Sequence, residues 1–130
     1  RFLNETNDKT FLLYDTGHLL FGQADYEKIL KKYISRINHV HCKDIRRNIL
    51  DNSLKNNLSF TNSFLDGVFT VPGDGCIDYW PLVKALYENN YRDWLVVEAE
   101  QDPIKANPFV YAKIGYDYLK NIVVETGYKI

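Results

Sequence analysis

Side chains that could bind a metal ion or move a proton end three separate apolar stretches of this chain. Each stretch is short and rich in aliphatic or aromatic residues, as is typical of a buried strand. Functional residues of parallel sheets gather where the strands end, so three such endings indicate one shared site. The polar side chains are Asp15 and His18 after the first stretch, His41 and Lys43 at the end of the second, and Glu98 and Glu100 at the end of the third.

The alternation of side chains along the second stretch separates its polar residues from its apolar ones. Successive side chains of a strand point to opposite faces, so His39, His41 and Lys43 share one face while Val40 and Cys42 share the other. The third stretch places its two glutamates on one face in the same way. Unpaired burial of such charges is costly, so they must bind a metal, pair with one another or line a wet cavity.

A set of carboxylates and imidazoles indicates which metal ions this site would accept. Mixed oxygen and nitrogen ligands suit Mn²⁺, Co²⁺, Fe²⁺ or Zn²⁺ better than a structural zinc site built from thiolates. Neither an HExxH nor a CxxC motif occurs in the sequence. The prediction therefore rests on where the residues lie along the strands.

Several of these residues also have a purely structural interpretation. Asp15 could cap the turn after its strand, and His18 could be a loop residue without a role. His39 lies deeper in its strand, which favours an interior hydrogen-bonded group over a metal ligand. Glu100 could form only a salt bridge, and Lys43 could pair with the neighbouring Asp44 at the rim.

Composition and charge restrict the class of protein. The chain has 130 residues, 45% of them hydrophobic, with 16 basic and 17 acidic residues and a net charge of −1. These values fit one soluble domain and argue against binding to nucleic acid, and no apolar run is long enough to cross a membrane. Two cysteines are too few for a disulfide framework, which indicates free thiols in the cytoplasm. The absence of methionine predicts that the chain begins partway through a longer protein.

Strand and helix signals alternate along the chain, which predicts an α/β fold with parallel strands. The predicted strands cover residues 10–15, 37–43 and 94–99. The predicted helices cover residues 26–35, 79–89 and 108–124, preceded by the capping residues Asp25, Asp78 and Asn107. Residues 45–69 predict short helices with Ser59 or Thr61 as caps, and residues 71–75 predict a turn.

Four segments give the chain its resemblance to a known family: residues 13–18, 39–44, 67–75 and 94–103. With these segments the chain resembles the inosose dehydratases, which belong to the xylose-isomerase-like (β/α)8 superfamily. The first two segments are common to that superfamily, whereas the last two are more typical of inosose dehydratases. The resemblance implies that residues 1–130 form the C-terminal part of a TIM barrel, because a full barrel needs about 250 residues.

The same resemblance implies a divalent metal centre. Asp15, His41 and Glu98 match three of the four metal ligands of the superfamily. The metal it implies is Mn²⁺ or Co²⁺, with Zn²⁺, Fe²⁺ or Mg²⁺ as alternatives. The fourth ligand is a glutamate from an earlier strand, and Glu5 is a poor match because it precedes the first predicted strand.

The resemblance also implies roles for residues around the metal. His18 would contact oxygens of the substrate, and Lys43 and Asp74 would contribute to the substrate pocket. His18 and Lys43 would assist catalysis as hydrogen-bond donors or acids, and Glu98 would serve both as a ligand and as a catalytic residue.

The activity implied is the dehydration of 2-keto-myo-inositol (scyllo-inosose), a cyclic keto-polyol, to a trihydroxycyclohexane-1,2-dione. One alternative is a ketose isomerase or 3-epimerase of the same superfamily, since both reactions also begin by removing a proton next to a carbonyl group. Another is a half-barrel without activity of its own. Because three parallel strands leave open edges, we expect either a complementary N-terminal half or an oligomer.

Overall fold

The computed structural model describes residues 2–129 and places them in a three-stranded sheet, a two-stranded ribbon and seven helices. In chain order the elements are α1 (Phe2–Glu5), β1 (Leu12–Asp15), α2 (Thr16–Phe21), α3 (Tyr26–Tyr33), β2 (Ile37–Cys42), β3 (Asp44–Ile45), α4 (Arg47–Lys55), α5 (Phe60–Leu65), β4 (Phe69–Thr70), α6 (Tyr79–Glu88), β5 (Leu95–Val97) and α7 (Pro108–Glu125). A short 3₁₀ turn at Ile34–Arg36 leads into β2.

The three predicted strands form a parallel sheet in the order β1–β2–β5, which confirms the α/β class. Each observed strand is shorter than predicted. Asp15 of β1 lies opposite His41 of β2, and His41 lies opposite Val96 of β5. The carboxyl ends of the strands therefore meet at one edge of the sheet.

Most helices begin where the sequence places a capping side chain. Four predicted caps accept a hydrogen bond from an amide of the first turn: Asp25, Ser59, Asp78 and Asn107. Pro108 follows Asn107 in the first turn of α7. Proline fits there because an N–H group in the first turn has no partner within the helix. Helix α2 was not predicted, and it begins directly at the end of β1.

The main core lies between the parallel sheet and the helices on one of its faces. Tyr14, Val40 and Cys42 from the sheet are fully buried there and pack in one cluster with Tyr79 and Leu86 of α6. The apolar side chains of β2 thus lie under helices, as the alternation predicted. No helix described between residues 2 and 129 is both long and apolar enough to cross a membrane.

The antiparallel ribbon of β3 and β4 was not predicted from the sequence. Its strands have two residues each, too few to give an alternating pattern. Asp44 ties the ribbon to the loop before α6, because its Oδ1 accepts hydrogen bonds from the amides of Ile45, Cys76 and Ile77 at 2.7–3.0 Å. Since β3 starts two residues after β2 ends, the ribbon stands at the carboxyl edge of the sheet.

Candidate functional site

The parallel register brings the three predicted metal ligands together. Asp15 and His41 are direct neighbours on β1 and β2. Glu98 follows β5, and its amide continues the ladder by donating to the carbonyl of Cys42 at 3.3 Å. The carboxyl ends of three adjacent strands thus present an aspartate, a histidine and a glutamate to one point.

The ligand atoms of these three side chains lie within the reach of a single ion. One donor atom from each of Asp15, His41 and Glu98 is within 4.8 Å of the other two. His41 Nδ1 is 2.7 Å from Glu98 Oε2 and 3.6 Å from Asp15 Oδ2. Two ligands on opposite sides of a metal ion are separated by roughly 4 Å, since each bond is about 2.0–2.2 Å long.

One atom of this cluster lacks a hydrogen-bond partner. Glu98 Oε2 is buried and accepts no hydrogen bond of regular geometry from the described residues, although His41 Nδ1 and Lys43 Nζ approach it to 2.7 and 3.2 Å. A buried carboxylate oxygen whose hydrogen bonds are poorly directed is only partly satisfied. A bound cation would satisfy it, so the residues present fit a divalent metal ion.

Lys43 lies at the centre of the site. Its side chain is 1% exposed, and Nζ is 3.4 Å from Asp15 Oδ2, 3.2 Å from Glu98 Oε2 and 2.8 Å from Glu100 Oε2. Nζ is also 2.7 Å from His18 Nε2. Lys43 does not pair with Asp44, whose carboxylate binds backbone amides instead.

Glu100 belongs to the same cluster, and the salt bridge considered for it is formed with members of that cluster. Its Oε2 contacts His18 Nε2 at 3.1 Å and Lys43 Nζ at 2.8 Å. Glu100 and Glu98 are two residues apart, so in an extended chain their side chains lie on the same face. The alternation of side chains therefore also predicted that Glu100 lies beside Glu98. Glu100 therefore links the two side chains that were predicted to assist catalysis.

The charges of the cluster stabilise one another. Burial disfavours the ammonium of Lys43, but the hydrogen bond to Glu100 and the charges of Asp15 and Glu98 outweigh it and raise the pKa of Lys43 above its ordinary value. Burial also opposes ionisation of Glu98, but Lys43 and His41 lower the pKa of Glu98 overall. The site therefore holds an ionised Glu98 and a protonated Lys43 at neutral pH.

Asp15 is placed so that the two roles considered for it do not exclude each other. Its Oδ1 accepts a hydrogen bond from the amide of His18 at 2.8 Å and so caps α2. Its Oδ2 faces His41 and Lys43. The capping interpretation and the ligand interpretation are thus compatible, because each uses a different oxygen.

His39 and Asp74 lie outside this group of ligand atoms. The ring of His39 is 5.2 Å from the ring of His41. Asp74 Oδ2 accepts hydrogen bonds from Arg46 Nη2 at 2.7 Å and from Thr70 Oγ1 at 2.6 Å. The predicted substrate-binding residue Asp74 is therefore held by the ribbon, and a contact with substrate stays a prediction.

Arg46 was not singled out from the sequence, because charges between residues 46 and 57 fit an exposed surface. In the structure its guanidinium donates to the carbonyls of Gly67 and Phe69, to Thr70 and Asp74, and to the hydroxyl of Tyr111. These bonds join β3, β4 and α7. Arg46 is accordingly a structural residue beside the site.

Comparison with curated proteins shows that close relatives share one name. The chain is 51% identical over 118 residues to an inosose dehydratase of Clostridium beijerinckii. The matched region covers 91% of the chain and 39% of the relative. It is 47% identical over 126 residues to an inosose dehydratase of Lactiplantibacillus plantarum, covering 96% and 42%. An inosose dehydratase of Clostridium botulinum is 53% identical over 110 residues, covering 85% and 37%.

These relatives are much longer than the region they share with this chain. The chain spans between 37% and 42% of the length of the three relatives. A family model described as a xylose isomerase-like TIM barrel matches residues 1–122. Together with the parallel sheet and the cluster at its carboxyl edge, this match shows that the chain belongs to the xylose isomerase-like TIM barrel family.

Proposed function

We propose that the protein that carries this chain dehydrates 2-keto-myo-inositol, with a divalent metal ion held by Asp15, His41 and Glu98. The observation that carries the proposal is the convergence of their three donor atoms within 4.8 Å. The relatives named inosose dehydratases support the choice of reaction over an isomerisation or epimerisation.

The reaction is an elimination that balances without an oxidant or a reductant. A base removes the proton on the carbon next to the ketone, and the hydroxyl group on the following carbon leaves with a proton as water. The resulting enol tautomerises to the trihydroxycyclohexane-1,2-dione. The chemistry thus needs a stabilised negative charge, a base and a proton donor.

Mixed carboxylate and imidazole ligands support Mn²⁺ or Co²⁺ as the resident ion, with Zn²⁺, Fe²⁺ and Mg²⁺ as alternatives. Such an ion would polarise the oxygens of the substrate and stabilise the charge that develops on them. Asp15, His41 and Glu98 would supply three ligands to this ion. A fourth, from a glutamate on an earlier strand, is expected from outside the described residues.

The chain's own residues then have distinct tasks. Lys43, a buried ammonium, donates hydrogen bonds toward a substrate oxygen that becomes negative. His18, with a side chain that is 43% exposed, contacts substrate hydroxyl groups and passes a proton to the leaving oxygen. Glu98 holds the ion, and Glu100 keeps His18 and Lys43 in contact.

The partner of this chain is the remainder of the barrel. Both outer strands of the described sheet, β1 and β5, have an edge that pairs with no other described strand. Large apolar side chains beside these edges are exposed, including Phe11, Leu13 and Trp94, the last to 74%. Further barrel strands would cover both edges. The free thiols of both cysteines support the cytoplasm as the location.

The test is a substitution of Glu98 in the full-length protein. We expect Glu98→Gln to lower turnover of scyllo-inosose by roughly 100-fold or more and to reduce the bound metal, because an amide is a weaker ligand than a carboxylate. Loss of water from scyllo-inosose, and elemental analysis of the purified protein, are the measurements. Unchanged turnover would remove Glu98 from the site.

Two controls make this experiment specific. Glu88→Gln changes an exposed glutamate at the end of α6 whose nearest cation, Lys84, is 4.0 Å away, and it should leave both readouts unchanged. Free ketoses are offered in parallel to the wild-type protein. Turnover of a ketose without loss of water would favour the isomerase or epimerase instead.

A further inference from the structure

The buried side chain of Lys43 must be held along its whole length. Lysine has a flexible four-carbon stem, and its ammonium can reach many positions. Here the side chain is 1% exposed and Nζ makes contacts between 2.7 and 3.4 Å with four other side chains. The centre of the Phe69 ring lies 5.3 Å from Nζ. The residues that guide the stem therefore decide where the charge is delivered.

Gly17 leaves free the space that the stem of Lys43 occupies. A Cβ atom at residue 17 would lie 2.6 Å from Cγ of Lys43 and 2.9 Å from its Cβ and Cδ, distances that real Cβ atoms do not show. These atoms are in the stem rather than at its far end, so a side chain at residue 17 would displace the ammonium.

The backbone of Gly17 does not itself require glycine. Gly17 is the second residue of α2, and its φ angle is not positive. Alanine is preferred over glycine inside a helix, because it restricts the unfolded chain more. Close approach of the Lys43 stem is thus the physical reason for glycine at this position.

Thr16 holds the backbone of Lys43 at the same place. Its hydroxyl donates to the carbonyl of Lys43 at 2.7 Å and accepts from the amide of Lys43 at 3.2 Å. The hydroxyl of Tyr79 is 2.9 Å from the same oxygen, and both side chains are fully buried. Two bonds to one residue fix its backbone on both sides of the side chain.

We infer that Thr16 and Gly17 are positioning residues for Lys43: Thr16 fixes its backbone, and Gly17 leaves the space through which its stem reaches the site. Together with Asp15 and His18, which contact Nζ, they make residues 15–18 a cradle for one lysine. The inference rests on the proposed function, because that function gives Lys43 its catalytic task.

A double-mutant cycle in the full-length protein tests the inference through turnover. Gly17→Ala should lower kcat for scyllo-inosose by roughly 10- to 100-fold, since a displacement of about 1 Å can cost that much, while bound metal stays the same. In the Lys43→Ala background, Gly17→Ala should have no further effect on kcat. Gly22→Ala is the matched control: it changes the exposed glycine that ends the same helix, and kcat should change less than about 2-fold.

Thermal unfolding tests the same inference without activity. Gly17→Ala should lower the unfolding midpoint by about 2–8 °C in the wild-type protein and in Lys43→Met, which keeps the stem. In Lys43→Gly the whole stem is gone, including the Cβ atom, so Gly17→Ala should leave the midpoint unchanged or raise it, as its helix propensity predicts. The sign of the shift therefore reports on contact with the Lys43 stem.

The outcomes separate the inference from the function on which it rests. Unchanged turnover in Lys43→Ala would contradict the proposed task of Lys43. The positioning role of Gly17 would be overturned if Lys43→Ala lost most of its turnover but Gly17→Ala had no effect on the wild-type protein. It would also be overturned if Gly17→Ala lowered turnover equally in the wild-type and Lys43→Ala backgrounds. If Gly17→Ala fails to fold alone, recovery of folding in the double variant supports the inference, and failure of both variants contradicts it.

Discussion

Two charged clusters stand side by side at the carboxyl edge of the sheet, and they differ in how completely their groups are paired. Around Arg46, the donors of one guanidinium are matched by backbone carbonyls, a carboxylate and two hydroxyl groups. Around Lys43, three carboxylates share a single ammonium and two imidazoles, and Glu98 Oε2 still lacks a regular hydrogen bond.

The difference is the one expected between a structural cluster and a functional one. A group whose partners are fixed main-chain atoms stabilises the fold and offers nothing to a ligand. A partly buried site in which carboxylates outnumber the ammonium groups can accept a further cation, and ionisable groups with shifted pKa values gather where proteins bind or react. The cluster around Lys43 should therefore govern activity, and the cluster around Arg46 should govern stability.

The largest effect is expected when the carboxylate of Asp15 is replaced by an amide. Asp15→Asn keeps an oxygen that can cap α2 but removes the charge that faces His41 and Lys43. Turnover of scyllo-inosose in the full-length protein should fall by about 100- to 1,000-fold with little change in thermal stability. Steady-state kinetics and thermal unfolding are the measurements.

Asp25→Asn is the matched control for that substitution. Asp25 caps α3 through the amide of Lys28, as Asp15 caps α2, but it faces no cluster. Both variants should unfold at nearly the same temperature, and only Asp15→Asn should lose turnover. An equal loss in both would show that the effect comes from the helix caps and not from the site.

The converse result is expected for Arg46. Arg46→Met keeps much of the stem but removes the donor to the carbonyls of Gly67 and Phe69, and it leaves the carboxylate of Asp74 with the hydroxyl of Thr70 alone. The free energy of unfolding should fall by about 2–4 kcal/mol, while the metal content of the folded protein stays unchanged. Chemical denaturation and elemental analysis measure the two quantities.

Lys113→Met provides the comparison for Arg46. Lys113 forms an exposed pair with Asp117 one turn along α7, and such pairs contribute little. Its loss should change the free energy of unfolding by less than about 0.5 kcal/mol. If Arg46→Met were equally mild, the ribbon would not depend on Arg46.

The smallest effect is a difference in pH dependence between two carboxylates of the metal-free protein. Burial opposes ionisation of Glu98, but Lys43 and His41 lower its pKa overall, so its contribution to stability is present above its ordinary pKa and is lost as the pH falls through the lowered value. Burial raises the pKa of Asp44 although backbone amides oppose the change, so its contribution is greatest at low pH and falls as the pH rises through the raised value.

Urea denaturation between about pH 3 and pH 7 measures these two slopes. The stability difference between the wild-type protein and Glu98→Gln should grow with pH, and the difference between the wild-type protein and Asp44→Asn should shrink. Two slopes of the same sign would contradict the opposite directions in which the fold shifts the pKa values of Glu98 and Asp44.

The strands, the longer helices and the meeting of Asp15, His41 and Glu98 at one edge of the sheet could be predicted because each depends on a local rule. Alternation along a strand placed His41 and Lys43 on one face, and side chains such as Asp25 and Asn107 marked where helices begin. The parallel order then followed from the alternation of strands and helices. These signals are contained in a few neighbouring residues each.

The remaining features depend on contacts between distant segments. Gly17 and Lys43 are far apart in sequence, and only the fold brings the stem of one over the backbone of the other. The ribbon of β3 and β4 is too short to show a period, and the role of Arg46 requires carbonyls more than twenty residues away. Helix α2 is only six residues long and begins with Thr16 and Gly17, so its sequence favours a turn as much as a helix.

The double use of Asp15 has a consequence for how an ion would be captured. One oxygen is fixed by the start of a helix, so the orientation of the other is set when the chain folds. The rotational entropy of this side chain is therefore lost during folding rather than during capture of the cation. Such preorganisation makes the aspartate a rigid part of the binding geometry from the outset.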